Sequence, residues 1–219
     1  MKMEIFADTA DLGELNELIS LGVVDGCTTN PIIMAKAGNK NANSQMQQIL
    51  KLIDGPVSLE VTTNDLELML SQARNYAKMG NNVVVKLPMN IEGLKAVAIL
   101  SKENIKTNVT ACMSTKQAVI AAKAGATYVS LFWARIADMG YDAKKIVTET
   151  AEIFRLHNFR SKIIIGSFRQ VSQINDALLT GAHVLTIPTN LLNEMVWNPR
   201  TESTIQEFID KWDNFQKTQ

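Results

Sequence analysis

Cysteine, histidine, proline and aromatic side chains are all scarce: 2 Cys, 2 His and 5 Pro in 219 residues, with 6% Phe, Trp and Tyr. Cys27 and Cys112 lie far apart and outside any Cys-x-x-Cys or Cys/His cluster, so both read as buried free thiols and no metal site is expected. His157 and His183 are equally isolated, which leaves no histidine-based triad or metal centre in view. An excess of one charge is missing too. Lys+Arg and Asp+Glu both number 22, so nothing suggests a nucleic-acid partner or an anionic membrane surface. No apolar run approaches the ~20 residues of a membrane span, and Met1-Lys2-Met3-Glu4 does not open a signal segment. The expectation is a cytoplasmic protein without membrane or nucleic-acid partners. Neither G-x-G-x-x-G nor G-x-x-x-x-G-K-[ST] follows any apolar run, and no linker or low-complexity stretch divides the chain.

What the chain has is alternation. Apolar runs at 3–8, 22–30, 57–62, 83–88, 107–112, 128–132, 162–167 and 183–188 each precede a segment of helical periodicity. Those helical segments fall at 11–20, 32–53 (broken at Gly38-Asn39-Lys40-Asn41), 65–79, 91–102, 114–124, 143–157 (after a longer connection), 171–180 and 189–196. Strictly alternating strands and helices imply a parallel sheet with right-handed crossovers, and eight units imply closure. The reading is α/β: one (β/α)8 TIM barrel over residues 1–219, with an additional C-terminal helix at about 203–215. A doubly wound open sheet is the alternative.

One strand carries an anomaly. In Val83-Val84-Val85-Lys86-Leu87-Pro88, period-two alternation puts Lys86 on the face of Val84, while the apolar neighbours argue that both faces are covered. Such a lysine is either paired or kept neutral, and a neutral amine is what attacks a carbonyl to form a Schiff base. A strand-end lysine snorkelling to a carboxylate is the competing reading. Other polar residues also gather at strand ends, where barrels of this kind keep their chemistry: Asp8, Thr28-Thr29-Asn30, Glu60, Asn108, Thr110, Ser130, and Ser167 with Arg169. Asp8, Glu60 and Lys86 lie in or directly after apolar runs, where an uncompensated charge costs several kcal/mol, so they read as one site. Glu60 suits holding a water for proton shuttling, and Asp8 suits deprotonating the hydroxyl whose loss of a proton breaks a carbon–carbon bond. Carboxylates next to Lys86 would hold it protonated, so the scheme asks for protonated, water-separated or distant acids. Arg135, Ser167 and Arg169 suit anion binding, with a surface pair to Asp138 and a solvated helix start as the plainer readings of the two arginines.

Six stretches in one order resemble the small transaldolase family, related to both transaldolase and fructose-6-phosphate aldolase: Asp8-Thr9-Ala10, Asp25-Gly26-Cys27-Thr28-Thr29-Asn30-Pro31, Val84-Val85-Lys86-Leu87-Pro88-Met89, Gly93-Leu94-Lys95-Ala96, Lys106-Thr107-Asn108-Val109-Thr110, and 121–130. The resemblance implies a Schiff base on Lys86, Asp8 as acid/base, and Glu60 and Thr110 holding the catalytic water. It also implies substrate contacts from Asn30, Thr29, Asn108, Ser130 and Phe132, phosphate contacts from Arg135, Ser167 and Arg169, sugar-phosphate substrates, and neither metal nor cofactor. Glu60, Asn108, Ser130 and Phe132 resemble the transferring members, whereas aldolase-type members resemble Gln, a small apolar residue and Tyr at three of those positions and lack the asparagine. Transfer of a dihydroxyacetone unit between a ketose phosphate and an aldose phosphate is thus implied over release of free dihydroxyacetone. A non-catalytic sugar-phosphate-binding barrel remains as the third possibility.

Two departures stand out. The family usually reads Ser-Pro-Phe-Val-Gly-Arg where this chain reads Ser130-Leu131-Phe132-Trp133-Ala134-Arg135, and Ser167-Phe168-Arg169 replaces the commoner Ser-Val/Ile-Arg. Trp133 falls either near the anion end or in outer-layer packing. The resemblance further implies a homo-oligomer, a pentamer or decamer. Phe208, Trp212 and Phe215 share one face of the last helix and would meet either a neighbour or the chain's own barrel.

Overall fold

The computed structural model describes residues 3–38 and 41–218. Among them eight parallel strands close into a barrel in chain order: β1 (Glu4–Ala7), β2 (Gly26–Thr28), β3 (Val57–Glu60), β4 (Val83–Pro88), β5 (Thr107–Cys112), β6 (Tyr128–Phe132), β7 (Lys162–Gly166) and β8 (Val184–Ile187). The pairing of β1 with β8, from Glu4↔Val184 to Ala7↔Ile187, closes the sheet and removes the open-sheet alternative. The outer helices are α1 (Leu12–Ser20), α2 (Pro31–Lys36), α3 (Ala42–Leu52), α4 (Leu66–Ala77), α5 (Ile91–Lys102), α6 (Thr115–Lys123), α7 (Trp133–Asp138), α8 (Ala143–Leu156), α9 (Val171–Leu178) and α10 (Thr189–Val196), and α11 (Pro199–Lys217) ends the chain. This is the expected (β/α)8 barrel with a C-terminal helix.

Polar residues following the strands start many of these helices. Asp11, Asn30, Asp65, Asn90, Ser114 and Asp142 each accept a hydrogen bond from a first-turn backbone N–H. Each such cap is worth ~1 kcal/mol and fixes where its βα turn ends, which in turn fixes the rim of the barrel.

Two apolar layers hold the fold. The larger lies between sheet and helices and includes both free cysteines, buried as expected. The smaller is Phe6, Val84, Tyr128, Ile164 and Val184, side chains from five strands that can meet only inside the barrel. The Phe6 and Tyr128 rings meet edge-on at 6.2 Å and 61°. Gly26 makes room for this plug, since a Cβ there would lie 2.7 Å from both the Phe6 ring and the Pro56 carbonyl. Two residues beyond each plug residue, on the same inward face, stand Asp8, Lys86, Ser130, Gly166 and Thr186. The alternation that fills the base of the barrel with hydrocarbon therefore builds a polar layer above it.

Three sequence boundaries shift. The second run narrows to β2, because Gly22 turns the chain at φ 69° after α1. The expected connection after β6 opens with a short helix, α7. The last helix starts at Pro199 instead of about 203, with Asn198 accepting from the Arg200 and Thr201 N–H groups and proline at the first position, where its missing N–H costs nothing. The break expected at 38–41 separates α2 from α3, and its residues 39 and 40 lie outside the described residues. Phe208, Trp212 and Phe215 of α11 are 64%, 59% and 52% exposed, so these aromatics do not pack on the chain's own barrel.

Candidate active site

Lys86 projects from β4 into the upper barrel and is buried, 5% exposed. The strand register sets Glu60 and Asn108 directly beside it, Glu60↔Lys86 on β3 and Lys86↔Asn108 on β5. Its Nζ lies 3.0 Å from Glu60 Oε2 and donates to the Thr29 carbonyl at 3.1 Å. Of the three arrangements left open by the sequence, the water-separated and the distant one are corrected here: the two groups are in direct contact. Parallel register explains this, since neighbouring inward residues on adjacent strands stand ~5 Å apart at their backbones, within reach of these side chains. Glu60 keeps 22% side-chain exposure, so its carboxylate meets both the amine and solvent.

Asp8 follows β1 and shares with Lys86 a cavity of about 140 Å³. Thr28 Oγ1 donates to Asp8 Oδ1 at 2.7 Å and also contacts Thr186 Oγ1. One hydroxyl carries one proton, so Thr186 must be the donor to Thr28, giving a relay Thr186→Thr28→Asp8. Burial pushes the Asp8 carboxyl above the ordinary carboxylate range; Lys86 and the Thr28 hydroxyl pull it down, Glu60 pushes it up, and burial wins. A carboxylate so placed is a better proton acceptor than one in water.

Asn30 caps α2, its Oδ1 accepting from the Ile32 and Ile33 N–H groups at 2.9 and 3.0 Å. That commitment orients the amide and leaves Nδ2 as donor; Asn30 and Asp8 both line the Lys86 cavity and a second one of about 460 Å³. Thr29 spends its hydroxyl on the Ser58 carbonyl at 2.8 Å, so what it offers Lys86 is its backbone. Asn108 receives Ser130 Oγ on Oδ1 at 2.8 Å and gives Nδ2 to Ser58 Oγ at 3.2 Å. Ser130 and Phe132 line the Lys86 cavity, and Thr110 is buried with its hydroxyl unpartnered among the described residues.

The anion candidates divide. Arg135 of α7 and Ser167, just after β7, line the Lys86 cavity, whereas Arg169 does not. Arg169 instead forms a two-pronged pair with Asp138 at 2.8 and 2.6 Å, both side chains more than half exposed. The surface pair offered as the plainer reading of Arg135 does not form: the partner of Asp138 is Arg169, and Arg135 lines the cavity. Trp133 is buried against Phe168, ring centres 6.2 Å apart, and takes the packing role of its two readings.

Ser58, Thr186, Gly166 and Glu14 are the residues that sequence reading passed over. Ser58 and Thr186 were visible as lone polar residues at inward positions of apolar strands. Gly166 leaves the cavity open, since a Cβ there would come within 2.8 Å of Thr186 Cγ2. Glu14 accepts from the hydroxyls of Thr9 and Thr189 at 2.5 and 2.6 Å, tying the turns after β1 and β8 together behind Asp8. No sequence signal marks it, because its partners are 5 and 175 residues away.

The fold and the site define a closed (β/α)8 barrel with a lysine–glutamate contact, a half-buried aspartate and an arginine gathered at the C-terminal ends of its strands. Comparison with known proteins gives the family. The family model described as Transaldolase/Fructose-6-phosphate aldolase matches residues 5–219. A protein named probable transaldolase from Anaeromyxobacter sp. (strain Fw109-5) is 42% identical over 215 residues, covering 98% of this chain and 100% of that protein. One of the same name from Streptococcus pyogenes serotype M5 (strain Manfredo) is also 42% identical, with the same coverage, and one from Anaeromyxobacter dehalogenans is 40% identical, covering 99% of that protein. The chain belongs to the transaldolase/fructose-6-phosphate aldolase family. Among the described residues no helix is long and apolar enough to cross a membrane.

Proposed function

We propose that this protein is a transaldolase that moves a dihydroxyacetone unit from a ketose phosphate, such as fructose 6-phosphate or sedoheptulose 7-phosphate, to an aldose phosphate through a Schiff base on Lys86. The observation that carries the reading is the buried Lys86 amine, 3.0 Å from Glu60 and in one cavity with Asp8 and Arg135. Glu60 takes the ammonium proton, and the free amine adds to the ketose C2 carbonyl. Protons returned through Glu60, and through a water held with Thr110, let the carbinolamine oxygen leave as water, giving an iminium. Asp8 removes the C4 hydroxyl proton; the C3–C4 electron pair flows into the iminium, and the aldose phosphate departs. The enamine left on Lys86 attacks the acceptor aldehyde, Asp8 returns its proton to the new hydroxyl, and water hydrolyses the iminium. The iminium nitrogen is the electron sink, so the scheme calls for neither metal nor cofactor.

In this scheme Asn30 Nδ2, Asn108 and Ser130 hold substrate hydroxyls, the Thr29 carbonyl positions Lys86, and Arg135 and Ser167 hold the phosphate with Arg169 in reserve at the rim. We read the protein further as a cytoplasmic enzyme of the pentose phosphate pathway, working as one domain over residues 1–219. The exposed aromatic face of α11 supports a homo-oligomer, a pentamer or decamer, in which a second copy covers that face. Light scattering should then give five or ten times the chain mass.

Transfer and simple aldol cleavage differ in what happens to the enamine. Phe132 presents no hydroxyl to the cavity, so the enamine waits for an aldehyde. Consumption of fructose 6-phosphate should therefore depend on an added acceptor such as erythrose 4-phosphate; release of free dihydroxyacetone at the same rate without acceptor would replace transfer by aldolase activity. Phe132→Tyr should raise the ratio of free cleavage to transfer by at least about tenfold, short of the ~10²–10⁴-fold of a fully positioned acid. An unchanged product ratio would remove Phe132 from that choice.

A further inference from the structure

Three contacts lace α7 to the segment after β7. Ala134 N–H donates to the Ser167 carbonyl at 3.2 Å, Trp133 lies against Phe168, and Asp138 grips the end of the Arg169 guanidinium. Ser167 is held between them at φ 64°, a left-handed conformation that a serine adopts only when its surroundings impose it. Arg135 and Asp138 are three residues apart on α7 and so share a helix face. Asp138 thus pairs with Arg169 while standing one helical turn from Arg135, which lines the Lys86 cavity. Its titration agrees: Arg169 first, with Arg135 adding to it, holds the Asp138 carboxyl below the ordinary carboxylate range.

We propose that Asp138 is a specificity-determining positioning residue, a built-in counter-ion that the phosphoryl group of a substrate must compete with for Arg169 and Arg135. This rests on the reading above that those arginines face the phosphate. A phosphate and a carboxylate seek the same guanidinium donors, and the carboxylate already bound lowers the local positive potential. The consequence is moderated phosphate affinity, which fits a transfer cycle in which one phosphorylated product must leave before a second phosphorylated aldehyde can enter the same cavity.

The test is the kinetics of Asp138→Asn with a phosphorylated ketose, its dephosphorylated counterpart, and inorganic phosphate as competitor. The KM for the phosphorylated ketose and the inhibition constant for phosphate should both fall by about two- to fivefold, the range of an exposed ion pair. The KM for the dephosphorylated ketose should stay where it was. The effect should shrink when Arg169→Gln is already present, and in ~1 M salt, where charges are screened within ~3 Å. Weaker or unchanged phosphate binding in Asp138→Asn, or an equal shift for both ketoses, overturns the counter-ion role. Failure of the underlying reading looks different: wild-type protein would show no preference for the phosphorylated ketose, and Arg135→Gln would affect both ketoses alike.

Discussion

Replacing Lys86 by methionine should abolish transfer, lowering kcat by at least about 10⁴-fold, because among the described residues no other amine lines the cavity with Asp8 and Arg135, and a missing covalent nucleophile leaves only binding and acid–base assistance. The substitution suits this purpose structurally. Methionine has nearly the length of lysine and would lie above the apolar plug, while the Glu60 carboxylate it leaves behind keeps contact with solvent. Loss of a charge partner is severe mainly when the survivor is sealed from water. The melting temperature should therefore stay within about 4 °C of wild type, so that lost activity reports chemistry instead of unfolding. A Lys86→Met protein with a tenth of wild-type kcat would remove Lys86 from the nucleophile's role.

Asp8→Asn should lower kcat by about 10²–10⁴-fold, the usual contribution of a positioned acid/base, and should make the protein more stable at neutral pH. The sign follows from linkage. Burial raises the folded-state pKa of Asp8 above its unfolded value, so between the two values the folded protein holds a proton that the unfolded chain has released. Stability of the wild type therefore falls as pH climbs through that window, and above it the cost of the half-buried, partly desolvated carboxylate is fully present. Asparagine does not ionise, yet its amide oxygen can still accept from Thr28. The melting-temperature advantage of Asp8→Asn should be greatest at pH 7–8 and vanish below about pH 4, where both states hold the proton. A variant less stable than wild type across that range would mean that Asp8 is not a desolvated carboxylate.

Much of this architecture was open to reading from periodicity. Eight apolar runs alternating with helical segments implied closure of the sheet, and the alternation within 83–88 put Lys86 on the face of Val84, which the structure shows to be the inward one. The short helix α7 escaped because Trp133 and Ile136 are buried in a segment of one and a half turns, too short for a 3.6-residue pattern to register. The site was legible strand by strand but not across the barrel. Alternation tells which face a side chain takes, not which residue of the next strand stands opposite, so the direct Lys86–Glu60 contact needed the register. The same limit hid the Thr186→Thr28→Asp8 relay, whose members come from three strands' ends, and the choice of Arg169 over Arg135 by Asp138. The sequence offered Asp138 to Arg135 only as the plainer alternative to anion binding, and the lacing of Ala134 to Ser167 brings Arg169 to the end of α7 instead.

Borohydride reduction in the presence of fructose 6-phosphate is the most direct measurement of the central claim, followed by intact mass and peptide mapping. The expected result is one covalent three-carbon or hexose phosphate adduct per chain, on the peptide containing Lys86 and absent from Lys86→Met. An unmodified Lys86 in protein that turns over the sugar, or an adduct carried by another lysine, would contradict it.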